Sequence, residues 1–93
     1  MTITTEKKQL KISLLKGSFS PTETQQLIEE ILKVKIKFHE TKIDKSDEEE
    51  TIKMRENRII KLQNDLQALR KLCAETKTNI LIDADIHFTS PDA

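Results

Sequence analysis

The sequence predicts an α+β fold: an antiparallel helical hairpin packed on a two-stranded antiparallel sheet, in the order strand, helix, helix, strand. Leu10, Ile12 and Leu14 alternate with Lys11 and Ser13, which is the period of a half-buried strand. The middle of the chain carries a capped apolar stripe at helical spacing and then a heptad run. Near the end, Ile80, Ile82, Ala84, Ile86 and Phe88 alternate strictly with Asn79, Leu81, Asp83, Asp85 and His87.

The first strand covers Leu10 to Lys16 and stops at Gly17, the only glycine. Ser20 then reads as an N-cap, with Pro21 at the first helical position and Glu23 closing a capping box. Leu27, Ile31, Val34 and Phe38 recur at spacings of four, three and four residues, and Ile28 and Leu32 widen that stripe. Glu29 and Lys33 stand four apart in the favourable order. Val34 to Phe38 also alternates with period two, so it fits a strand as well as a helix. The lack of any stop signal between Glu29 and Lys42 favours helix.

A short link near Ile43 to Lys45 suits a hairpin. Ser46 to Glu49 forms a second capping box, and Glu48 to Glu50 place negative charge at a helix start. Ile52, Ile59, Leu66 and Cys73 are seven apart, and Leu62 and Leu69 fill the complementary seam. Only Arg55 is out of place there. This helix should run from about Asp47 to about Thr76. The rival is one unbroken helix from Pro21 to Thr76. The final strand spans Thr78 to Phe88, and Pro91 ends pairing in a polar tail. Lys11 should share the outer sheet face with Asp83 or Asp85, where opposite charges pair.

Ninety-three residues give room for one domain, with 1–8 and 89–93 as flexible tails. Sixteen basic residues balance sixteen acidic ones. That balance disfavours a dedicated nucleic-acid binder, which must neutralise phosphates. A single cysteine allows no internal disulfide, and no run approaches a membrane span. With no stretch of signal-peptide type, the expected location is the cytoplasm. Tryptophan and tyrosine are absent, which weakens readings built on base stacking or an aromatic pocket.

The segment from Gly17-Ser-Phe-Ser-Pro21 through Phe38-His39 resembles a group of short uncharacterised bacterial proteins. In that group a strand, a helix with a Phe-His pair, a long charged helix and a final strand follow in this order. The resemblance implies the same order of elements here. It carries no activity and no site residues.

Candidate chemistry is sparse. Asp83, Asp85 and His87 are metal-ligand types on one strand face. Side chains two apart on a strand sit roughly 6.5–7 Å apart, too far to close on one ion unaided. A solvated polar face is the expected role. The acidic run Asp47 to Glu50 lacks the spaced oxygens and glycine of a calcium loop. Cys73 sits in the heptad seam and reads as a buried small hydrophobe, with no base placed near it. His39 reads as a residue that bonds helix-terminal carbonyls. Lys33, Lys35, Lys37 and Lys42, with Lys7, Lys8, Lys11 and Lys16, offer a basic patch for RNA. The balanced charge favours a mixed solvated face. No catalytic, cofactor or metal site is assigned, and no enzyme activity is expected. The chain is expected to act as a homodimeric structural or protein-interaction module, its sheet extended by dimerisation. The alternative is an RNA- or ribosome-associated small protein.

Overall fold

A computed structural model describes residues 8–45 and 48–90. Its elements are β1 (Lys8–Phe19), α1 (Pro21–Asp44), α2 (Glu49–Glu75) and β2 (Ile80–Ser90). The fold is α+β in the expected order. Contacts divide the chain into two compact units, one holding the strands and one spanning Phe19–Ile80.

The sheet unit pairs β1 with β2. The start of β1 and the end of β2 border one recess, and Lys11 meets Asp85 farther in, so the strands are antiparallel. The strand boundaries differ from the sequence reading, and β2 begins at Ile80 rather than Thr78. β1 runs on through Gly17 to Phe19, because glycine alone readily takes the φ of 138° found there. Lys8, Thr89 and Ser90 belong to strands rather than tails, because β1 and β2 keep pairing to those residues. Residues 1–7 and 91–93, Pro91 included, lie outside the described residues.

In the helical unit, α1 begins as the sequence requires. Glu23 N–H donates to Ser20 Oγ at 3.1 Å, and Ser20 N–H donates to Glu23 Oε1 at 2.9 Å. That bonding holds the Glu23 carboxyl below its ordinary value. The Val34–Phe38 stretch is helical. α1 continues to Asp44 and is capped by Lys45, so Ile43 and Asp44 are helix rather than link. The N-cap of α2 is Glu48, without a side-chain bond to the helix backbone. Ser46 and Asp47, on which the second capping box rested, lie outside the described residues.

The helices pack as a hairpin. Arg70 bonds Glu29 near one end and Arg55 bonds His39 nearer the other, so they run in opposite directions. The α2 seam faces α1 as the heptads require. Leu62 and Cys73 are buried and Ile52, Ile59, Leu66 and Leu69 half-buried, whereas Ile60 and Leu72 are exposed. The face of α1 is rotated from the stripe read in the sequence. Thr24 and His39 are buried and Ile28, Leu32 and Ile43 half-buried, while Val34 and Phe38 stand 67% and 54% exposed. The apolar arc of α1 is too broad for one partner helix to cover, so its Leu27–Val34–Phe38 side is left in solvent. No helix among the described residues is long and apolar enough to cross a membrane.

Candidate functional site

The most structured polar contact lies on the hairpin. His39 is only 7% exposed, and its Nδ1 stands 3.0 Å from an Arg55 terminal nitrogen. Arginine has donors only, so Nδ1 accepts and the neutral ring carries its proton on Nε2. Burial above all, then the charges of Arg55, Arg58 and Lys35, holds this imidazole below its ordinary 6.5. Phe38 packs its edge against His39 at 5.7 Å. The same ring carries the Arg55 guanidinium at 5.7 Å and the Lys42 ammonium at 5.5 Å. Arg55 Nε is buried without a protein partner, as is Thr24 Oγ1.

The seam therefore contains a cation where the heptads wanted an apolar side chain. The mismatch at Arg55 is answered by His39 across the hairpin. Sequence reasoning placed His39 on helix-terminal carbonyls, and the structure corrects this. His39 lies more than a turn before the helix end, where carbonyls are already used within the helix. The one signal in the sequence was the odd polar residue in the seam, but helix phase alone did not name its partner.

Beside this contact runs an open groove of about 650 Å³. Val34, Phe38 and Leu62 form its apolar part, and Lys35, Arg58 and Lys61 stand around it. Lys61 is held by Asp65 at 3.4 Å. Glu29 bonds both Lys33 at 3.1 Å and Arg70 at 2.9 Å, the Arg70 bond chief among the causes that lower its carboxyl.

Among the lysines that could offer a basic patch, those of α1 have different surroundings. Lys33 is tied to Glu29, Lys42 lies on Phe38, and Lys37 borders a separate recess with Glu40 and Glu56. Lys8, Lys11 and Lys16 belong to the sheet unit, and Lys7 lies outside the described residues.

Cys73 is a free, buried thiol, as its seam position requires. Arg55, the partner of His39, stands eighteen residues earlier on α2. That separation is about 27 Å along the helix axis, so His39 does not serve Cys73 as a base. On the sheet, Lys11 Nζ lies 3.5 Å from Asp85 Oδ2, one of the two pairings expected from alternation. Among the described residues no group of three or more His, Cys, Asp or Glu is gathered to hold a metal ion.

The largest unspent resource is apolar surface. Leu10, Ile12 and Leu14 of β1 and Ile86 and Phe88 of β2 are exposed. No described strand residue is buried. This arrangement can cover surface and pair backbone. No family model matches the chain, and no curated protein or solved structure matches it.

Proposed function

We propose that this chain is a non-catalytic structural or protein-interaction module of the cytoplasm that works as a homo-oligomer, with the sheet extended by a second copy. One observation carries the reading. Among the described residues only Leu62 and Cys73 are buried apolar side chains, while large hydrophobics on all four elements are exposed. A folded chain gains most of its stability from apolar burial. An isolated two-stranded sheet is marginal in water. Extended apolar patches rimmed by charge mark interaction surfaces.

Sedimentation over a concentration series tests this. It should report twice the mass of one chain at micromolar concentration. A mass that stays that of one chain at every concentration would remove the proposal.

A second reading, an RNA- or ribosome-associated protein, draws on the groove. Lys35 and Arg58 have no ion pair among the described residues. Retention on a polyanion column, falling steeply between low and physiological salt, would favour it. Flow-through at low salt would end it.

A further inference from the structure

We propose that β2 pairs antiparallel with β2 of a second copy, across a twofold axis through Ile86, so that Asp85 of each chain faces the partner's His87. This rests on the self-association reading above and specifies its interface.

Among the described residues, sheet order leaves each strand one edge that the other does not pair. The two edges differ in chemistry. β1 carries Lys8, Lys11 and Lys16, and within it Gly17 takes a φ of 138°. Lysine and an interior glycine both blunt an edge against further pairing. β2 has no lysine, glycine or proline between Ile80 and Ser90. From Ile80 to Thr89, the N–H and C=O groups on the side of β2 away from β1 are the better template.

Register follows from parity and charge. Opposed residues of an antiparallel pair project from the same face. The axis must therefore pass through a residue. Set between two residues, it would put Ile82 and Ile86 on the face of Asp83 and Asp85. An axis at Ala84 sets Asp83 against the partner's Asp85 on both sides, and like charges directly opposite repel. An axis at Asp85 makes that carboxylate face its own copy. An axis at His87 makes the imidazole face its own copy and shortens the overlap. At Ile86 both Asp85–His87 pairs form and no charged residue meets its like. Ala84 then lies opposite the partner's Phe88, small against large on the apolar face. Asp85, already 3.5 Å from Lys11, would join Lys11 of its own chain to His87 of the partner subunit.

The test uses the full chain with Cys73→Ser and one new cysteine at a time. Only a residue on a twofold axis opposes itself. Ile86→Cys should therefore cross-link to a dimer under mild oxidation, while Ala84→Cys and Phe88→Cys should not do so alone. The last two, mixed, should cross-link to each other. Efficient cross-linking of Ala84→Cys or Phe88→Cys alone would overturn the register. No cross-link at Ile86, in a chain that still sediments at twice its mass, would overturn edge pairing and leave self-association standing. A chain that stays monomeric would remove both. A second readout needs no cysteine. His87→Asp should weaken the dimer by about tenfold, because two cross-strand attractions become repulsions, while His87→Lys should keep it. Equal dissociation constants for the two variants would contradict the Asp85–His87 pairing.

Discussion

The two compact units solve the same problem to different degrees. The hairpin buries a seam of its own: Thr24 and His39 on α1, Leu62 and Cys73 on α2. The sheet unit buries nothing among its described residues, although its two strands carry a full alternating apolar face. Two helices of about two dozen residues can cover a stripe on each other. Two strands side by side cannot, because their apolar side chains point away from the pairing plane. A helical pair is thus closer to self-sufficient than a strand pair. The sheet face is where this chain most needs another surface.

The comparison is broken most severely by proline in β2. Ala84→Pro removes a ladder donor in mid-strand. Sedimentation should then show the mass of one chain at concentrations where the parent is a dimer, while far-ultraviolet dichroism keeps the helical signal. Loss of both together would mean that the two units are not energetically separable. The next effect falls on the seam. Leu62→Ala should cost about 2–5 kcal/mol by denaturant unfolding, since it opens a cavity between the helices. Ile60→Ala, one of the exposed residues of α2, should stay within about 1 kcal/mol when measured on the dissociated chain. Equal costs would show that the seam is misassigned.

Arg55→Ala is expected to cost about 1–3 kcal/mol, because it leaves the buried His39 acceptor unpaired. A double-mutant cycle with His39→Leu should recover part of that loss. Additive costs would mean that the contact contributes nothing.

The smallest effect is a pH dependence. His39 sits among Arg55, Arg58 and Lys35, and its folded value is held below 6.5. The unfolded chain therefore binds this proton at a higher pH than the folded one, and stability rises with pH across the interval. The contribution is complete above 6.5 and is lost as pH falls from there toward the lowered folded value. His39→Gln, which keeps an acceptor for Arg55, should flatten that slope in thermal melts. An unchanged slope would place its origin elsewhere.

Much of this was legible in the chain. Ser20, Pro21 and Glu23 announced the start of α1 because a capping box is a local device, satisfied within one turn. The α2 seam was legible because only one heptad frame collects Ile52, Ile59, Leu66 and Cys73. The face of α1 was not. Leu27, Val34 and Phe38 compete with Ile28, Leu32 and His39 around a wide arc, and hydrophobicity does not choose between them. The choice belongs to α2, whose Arg55 needs a buried acceptor. Alternation alone placed Lys11 on the face of Asp83 and Asp85 without choosing between them, whereas His39 and Arg55 required the hairpin's register.

Amide hydrogen exchange read strand by strand over a dilution series tests most directly whether a second copy completes the sheet. In the concentrated protein, alternate β2 amides facing the free edge should be protected, and dilution below the dissociation constant should expose them. Amides beside Leu62 and Cys73 in α2 should keep protection that does not depend on concentration to the same degree. Free-edge β2 amides that exchange at one fast rate at every concentration would contradict the account.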